Sequence, residues 1–542
     1  MKDMIQLSND NNTRGNTYST DHYENYNQSG DKNYFEEIVD KMILDQVVGM
    51  NESFRNAISN LPKDKKRMAI LSLLDKDRNL FKNIKALVDK DINKMDHIKD
   101  VILMLRDYVK VGEVEKKKFG EVMTPLDTVK EMLATLPEEV WSNPNLKWLD
   151  PANGTGPYPI MVIYKLMVGL KDWESDEEKR YKHIIENMIY VSELQPKNMF
   201  LYLCAVDPFD TYKLNIYTGS FLDEGFDYHM KNVWGIEKFD IIIGNPPYQE
   251  MDGGNGPSAR PIYNTFTEKS ILISNTILFI TPSRWFAGGK GLDSFRRMMM
   301  NSNKIVLINH FDDATKIFGN SVEIKGGVSY FIYDKNHNAN TNINGSSIDL
   351  KKFDIIVKEI ESFSILSKIS NFDSISDLCK GRGDNTFDIQ TNDKRLSDVC
   401  LEEHIKVYVS KQKGFVKWVD IKNVKKHEDM YSYKLYTTEA AGSTGNLGKF
   451  GNMFIGEQNS ICSGSYIWFP LNSINECENL KSYLQTNFAQ YLLSLRKITH
   501  HIKPDTLKWI PLVPLDREWN DEMLFQYFNL DQNEISIIKN KK

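Results

Sequence analysis

The chain has 542 residues, 41% hydrophobic and 26% charged, with a formal net charge of −6. That length is too great for one ordinary core, and the composition is that of a globular protein rather than a fibrous or wholly disordered one. Five cysteines without CxxC spacing or a nearby histidine pattern argue against a disulfide framework or a zinc centre. No apolar leader and no run of about 18 uninterrupted apolar residues offers itself to a membrane, so a reducing cytoplasm is the expected compartment.

In chain order, residues 1–33 are rich in Asn, Asp, Ser, Thr and Gly, lack apolar periodicity and are expected to be disordered. From 34 to 110 apolar residues recur every three or four positions among charges, as in FKNIKALVDKDINKMDHIKDVILMLRDYV, which predicts helices. Between 111 and 335 the texture changes. Short apolar runs at 146–150, 188–193, 214–219, 239–243, 276–281, 304–309 and 327–333 alternate with helical stretches. Runs apolar at nearly every residue predict a mostly parallel sheet buried on both faces, with ligands beyond the carboxyl ends of its strands. The polar stretch NHNANTNINGSS marks 336–354 as a linker, and 355–542 reads as a second, aromatic-rich domain of helices and strands. Within it, 404–427 carries seven lysines against one aspartate, a local basic surface inside an acidic chain.

Three strand ends carry candidate chemistry. In LDPANGTGPYP, Asp150 closes a strand, and Gly154 and Gly156 let backbone approach a ligand closely. The spacing is not that of a dinucleotide loop, and an acid before the glycines suits a charged amino group better than a pyrophosphate. A tight strand-to-helix turn explains the glycines equally well. In IYVSELQP, Glu193 can accept both hydroxyls of a ribose, although such an acid standing alone is usually just solvated. In FDIIIGNPPYQ, Pro246 and Pro247 fix the backbone and remove two amide donors. The Asn245 side-chain carbonyl and the backbone carbonyls there are left as acceptors, beside the flat face of Tyr248. Two acceptors and a stacking face suit a planar group bearing an NH2.

With these motifs in this order, residues 119–335 resemble the catalytic domain of S-adenosylmethionine-dependent N6-adenine DNA methyltransferases in the gamma arrangement. The resemblance implies a doubly wound, Rossmann-like α/β sheet preceded by the helical region and followed by an α+β target-recognition domain. It implies S-adenosylmethionine as cofactor, no metal, double-stranded DNA as substrate, and a possible cognate restriction endonuclease as partner. FGEVMTP resembles the first motif and places Thr124 at the methionine moiety. DPANGTG resembles the glycine loop, with Asp150 near the methionine amino group and Ala152, Gly154 and Gly156 along the cofactor. Glu193 matches the ribose-binding acid. The family usually has Asp-Phe-Leu after the third strand, whereas this chain reads GSFL, with Ser220 in place of the acid, Phe221 still able to pack on the adenine and Asp223 three residues on.

In the reaction so implied, Asn245 and the Pro246 carbonyl accept the hydrogens of the target amine, and Tyr248 stacks on a base flipped out of the duplex. Phe331 and Tyr333 are candidates for a second stacking aromatic, but their spacing favours core packing. In the C-terminal region the Gly-rich loop at 438–454 is expected near DNA. The cluster Arg496, Lys497, His500, His501 and Lys503 reads equally as phosphate contact or as a solvated helix. Methylation of an RNA base or of a glutamine on a release factor is the alternative, as is a methylase fused to or partnered with an endonuclease. The roughly 200 residues after the linker count against the compact glutamine enzymes, and no PD…ExK spacing supports a fused nuclease.

Overall fold

The computed structural model describes residues 124–540, apart from 208–210, 252–258, 288–290, 320–323, 325, 358, 360, 382–386, 412–413, 426, 442–447 and 498–500. The disordered tail expected over 1–33 and the helices expected over 34–110 lie outside the described residues.

Every strand expected between 146 and 333 is present: β1 (Trp148–Asp150), β2 (Ile189–Glu193), β3 (Asn215–Thr218), β4 (Phe239–Gly244), β7 (Ser274–Pro282), β8 (Ile305–Phe311) and β9 (Val328–Asp334). Two further pairs had no apolar signature, the hairpin β5 (Gln249–Met251) with β6 (Ala259–Pro261) and the edge strands β10 (Thr341–Ile343) and β11 (Ser346–Ile348). The main sheet has nine strands in the order β11-β10-β8-β9-β7-β4-β1-β2-β3. Pairing is parallel from β3 through β2, β1 and β4 to β7, and β9 runs antiparallel between β7 and β8. The chain leaves β1 for β2 on one side and returns to β4 on the other, so the strand order reverses at β1 and β4. A crevice opens beyond the carboxyl ends at such a reversal.

Side chains alternate along each strand between two cores. Trp148, Ile241, Ile243, Leu278 and Ile280 enter one, and Leu149, Ile242, Ile277 and Phe279 the other. This is why the strands read as unbroken apolar runs, and each fully buried isoleucine contributes about 1.5–3 kcal/mol. The second core runs on without a break into the C-terminal helices, taking in Leu480, Tyr483, Phe488 and Leu492. The C-terminal region is therefore packed against one face of the catalytic sheet. The expected linker at 336–354 is instead part of the sheet: β10 pairs with β8, and β11 with β10. Its polar residues suit an exposed edge, which carries little apolar signal.

The C-terminal region is α+β, as expected. Sheets β13-β12-β16 and β15-β14-β17 are built from β12 (His404–Tyr408), β13 (Val416–Asp420), β14 (Tyr433–Thr438), β15 (Met453–Gly456), β16 (Ser460–Cys462) and β17 (Tyr466–Leu471). A third core containing Val407, Tyr436, Ile461 and Trp468 joins them. Three of the seven lysines in the basic run at 404–427 are paired here. Lys406 pairs with Glu457 at 2.7 Å, Lys417 with Asp398, and Lys422 with Glu403. Cys379, Cys400, Cys462 and Cys477 are free thiols. No helix among the described residues is long and apolar enough to cross a membrane.

Candidate active site

At the crevice lies a cavity of about 270 Å³, walled by Thr124, Gly154, Glu193, Ser220, Phe221 and Asn245 among others. Each wall has a local cause. β1 ends in Asp150, and the chain turns through Gly154 (φ 54°) and Gly156 (φ 92°) into the helix Pro157–Gly169. Pro157 suits the first helical turn because it lacks an N–H that would have no partner there. Gly156 is required beneath the turn, since a Cβ there would lie 2.4 Å from the Tyr202 ring. A Cβ at Gly154 would meet nothing within 4 Å.

The Glu193 carboxylate knots this turn to β2. Its Oε2 accepts from the Gly154 N–H and its Oε1 from the Gln195 N–H, both at 2.7 Å. The Glu193 carbonyl also accepts from the Gly219 N–H at 3.0 Å, which ties in the end of β3. Asp150 lies behind the wall. One oxygen accepts from the Ala152 N–H at 3.0 Å, while Oδ2 is buried and has no partner. Burial pushes this carboxyl up to about 8 against the pull of the Ala152 hydrogen bond, and the Glu193 charge adds to the rise.

At the end of β3, Ser220 Oγ accepts from the Leu222 N–H at 3.2 Å. The Phe221 ring stacks on Phe266, with centroids 5.4 Å apart, and the Lys269 ammonium stands 5.1 Å from it. Asp223 does not wall the cavity. Phe266 and Ile262, four residues apart at the start of the helix Tyr263–Ile273, also line the cavity. Their helical spacing was readable, but nothing in the sequence aimed that face at the strand ends.

The tip of β4 meets a partner from far upstream. Asn245 Nδ2 donates to Thr124 Oγ1 at 3.1 Å, and the Tyr158 hydroxyl lies 3.4 Å from the same oxygen. The helix Leu126–Leu133, which buries Val129, Met132 and Leu133, holds Thr124 there. Tyr248 is turned away from the cavity wall. Its half-buried ring meets Phe318 edge-on, with centroids 6.5 Å apart. Burial, with the neighbouring Tyr158 adding, pushes its phenol far above the ordinary value, so it is neutral. Phe331 and Tyr333 are core residues, and Phe318, not singled out in the sequence, is the aromatic facing Tyr248.

One cavity wall thus carries Thr124, Ala152, Gly154, Glu193, Ser220, Phe221, Asn245 and Pro246. Asp150 stands behind it, Gly156 beneath it, and Tyr248 beside it. Among the described residues no group of three or more His, Cys, Asp or Glu could hold a metal ion. Of the cluster that read equally as phosphate contact or solvated helix, Arg496, Lys497 and His501 have partners within the fold, while Lys503 is exposed. Arg496 is buried against Asp354, at 2.5 Å and 2.9 Å, and stands over the Trp509 ring. Buried Lys497 donates to the Ala441 and Lys449 carbonyls, and His501 pairs with Glu439 at 3.1 Å. His500 lies outside the described residues.

A doubly wound sheet with an antiparallel strand inserted near one edge, a glycine turn after β1, an acid ending β2 and N-P-P-Y ending β4 defines an amine-directed methyltransferase class. Sequence comparison places the chain within that class. It belongs to the adenine-specific methylases. A relative from Mycoplasma pneumoniae, called an uncharacterized adenine-specific methylase, is 30% identical over 41% of this chain and 69% of its own length. Residues 162–318 match the Eco57I restriction-modification methylase family. Among solved structures, a nuclease-deletion mutant of the Type ISP restriction-modification enzyme LlaGI with a DNA substrate mimic is similar. It is 12% identical, covers 93% of this chain and 53% of that one, and gives a TM-score of 0.43. A modification subunit of a putative type I restriction enzyme from Vibrio vulnificus is 13% identical over 63% of this chain and 69% of its own, with a TM-score of 0.32.

Proposed function

We propose that the chain transfers the methyl group of S-adenosylmethionine to the N6 amine of an adenine flipped out of double-stranded DNA. The observation that carries this reading is the presence of Asn245 and Pro246 on the same cavity wall as Glu193, Ser220 and Phe221. Acceptors for an amine and a site suited to a nucleoside share one space.

The residues fit the cofactor. Asp150 Oδ2 is buried without a partner, an arrangement an ammonium group would satisfy and an empty pocket leaves costly. Glu193 stands where ribose hydroxyls can reach it, and Phe221, Phe266 and Ile262 give apolar surface for an adenine. When bound, the cofactor supplies an activated methyl group, so the protein needs neither metal nor nucleophile.

What remains for the protein is alignment. The lone pair of an exocyclic adenine amine is delocalised into the ring. Asn245 Oδ1 and the Pro246 carbonyl, accepting its two hydrogens, hold the nitrogen and favour the geometry in which the lone pair faces the methyl. Positioning of this kind supplies several kcal/mol of rate acceleration. Tyr248 and Phe318 flank the tip from the other side. Turning the Tyr248 ring face-on would give the extruded base a stacking surface, which offsets the few kcal/mol lost on unpairing it. The packed C-terminal region is the natural reader of the flanking sequence, and a cognate endonuclease acting on the same motif is the expected partner.

The test is expression in a methylation-free host followed by single-molecule sequencing of its DNA. N6-methyladenine in one short motif is expected, with Asn245→Ala reducing transfer by about 100- to 1,000-fold. Methyl groups found on RNA or on a release-factor glutamine, with none in DNA, would overturn the reading.

A further inference from the structure

The bond between Asn245 and Thr124 bears on a problem the tip cannot solve alone. A carboxamide has a donor end and an acceptor end of nearly the same shape, exchanged by a half-turn of the side chain. In the reaction proposed above, only one orientation works. Oδ1 must face the target amine, because Nδ2 in its place would set donor against donor. Pro246 and Pro247 have no N–H to hold Oδ1 in either position, so the orientation is left to side chains beside the amide, the Tyr248 hydroxyl within the tip and partners outside it.

Thr124 is placed to impose it. The residue is 3% exposed and lies 121 positions upstream, and its Oγ1 receives the Asn245 Nδ2 hydrogen at 3.1 Å. The Tyr158 hydroxyl, on a side chain 2% exposed, reaches the same oxygen at 3.4 Å. Tyr158 stands in the first turn of the helix Pro157–Gly169, which is anchored by the turn at Gly156. A hydroxyl oxygen has two lone pairs and can accept from both donors, the single Tyr158 hydrogen being shared with Met132 Sδ, also at 3.4 Å. With Nδ2 held, the other end of the amide is turned away from Thr124.

We propose that Thr124 is the positioning residue for the Asn245 carboxamide, with Tyr158 supporting it, rather than a ligand for the methionine moiety. The proposal rests on the function proposed above. Wild-type protein that methylates adenine, and an Asn245→Ala variant that does not, establish that function whatever the Thr124 variants show.

The experiment measures kcat for methyl transfer to a duplex containing the motif, and cofactor affinity separately by calorimetry. Thr124→Val keeps the shape and removes the hydroxyl. It should lower kcat about 10- to 100-fold while cofactor Kd stays within about twofold. Thr124→Ser keeps the hydroxyl and should restore kcat to within about threefold of wild type. Tyr158→Phe deletes only the supporting donor and should lower kcat about three- to tenfold, again at unchanged Kd. If Thr124→Val does not fold, Tyr158→Phe decides on the same two readouts. A weakened cofactor Kd at unchanged kcat would assign Thr124 to the cofactor and overturn the proposal. So would an unchanged kcat in both variants, or failure of Thr124→Ser to restore turnover.

Discussion

Gly244 brings the end of β4 against Asp150 at the end of β1: a Cβ on Gly244 would lie 2.8 Å from Asp150 Oδ1. The backbone there has φ 150°, a region that L side chains rarely adopt. The glycine before the N-P-P-Y tip is therefore set by the carboxylate beside it as well as by the turn. Gly244→Ala should lower stability by about 1–3 kcal/mol through strain and displacement of Asp150. Urea unfolding measures the first effect and calorimetry the loss of cofactor affinity. A variant with wild-type values for both would show that the two strand ends are free to part.

The two glycines after β1 should fail in different ways. At Gly154 (φ 54°) an added methyl would project into open space at the cavity wall, so Gly154→Ala should fold with a penalty of about 1–2 kcal/mol. Its cofactor affinity should fall about tenfold or more, because the methyl occupies ligand space. At Gly156 the methyl would strike the buried Tyr202 ring, so Gly156→Ala should lose soluble protein before binding can be measured. Thermal denaturation alongside calorimetry separates the two. Equal loss of fold in both variants would contradict the assignment of Gly154 to the cavity.

In the proposed function Asp150 receives the cofactor's ammonium group, and binding should then release a proton. Burial raises its carboxyl to about 8, so at pH near 6.5 the empty pocket holds it mostly protonated. A bound ammonium favours the ionised form, and the proton must leave. Calorimetry in buffers of different ionisation enthalpy should show release approaching one proton per cofactor at about pH 6.5. The release should fade as the pH rises through 8, and Asp150→Asn should abolish it. The raised pKa has a second consequence, because the folded state binds this proton more tightly than the unfolded one. The apoprotein should therefore lose stability as pH rises from about 4 to 8, in a window that cofactor narrows. Proton uptake instead of release would place the amino group elsewhere.

The parts of this molecule legible in its sequence are those with a local cause. β4 and β9 were visible because burial on both faces makes nearly every position in them apolar. The glycine turn, Glu193 and N-P-P-Y were visible because each occupies the end of such a strand. β10 and β11 were not, because three-residue strands with one apolar residue each, Ile343 and Ile348, look like a loop until β10 pairs with β8. The charge clusters misled for a related reason. Lys406 and Arg496 are neutralised by Glu457 and Asp354, residues that become neighbours only in the fold. Thr124 was found through its motif, but its contact with Asn245 spans 121 residues and leaves no sequence signal.

Arg496 gives the sharpest test of that last distinction, since it read equally as a phosphate contact. Its side chain is 3% exposed and its guanidinium forks onto both oxygens of Asp354, with Asp505 at 3.4 Å. Burial alone would raise the Asp354 carboxyl, but the hydrogen bonds and charge of Arg496 outweigh it and hold it below the ordinary value. A carboxylate depressed in the folded state contributes stability at neutral pH and loses it as the pH falls below about 4, through its lowered folded-state value. Asp354→Asn should therefore cost about 0.5–1.5 kcal/mol at pH 7, because Arg496 is buried but Asp354 is 43% exposed and screened by solvent, and much less in acid. Arg496→Met should destabilise the C-terminal packing similarly. A residue holding a DNA phosphate would instead change the salt dependence of binding, lowering the slope of log affinity against log salt by about one per contact. Arg496→Met is expected to leave that slope unchanged under conditions where the variant is folded. A shallower slope with wild-type stability would return Arg496 to the DNA surface.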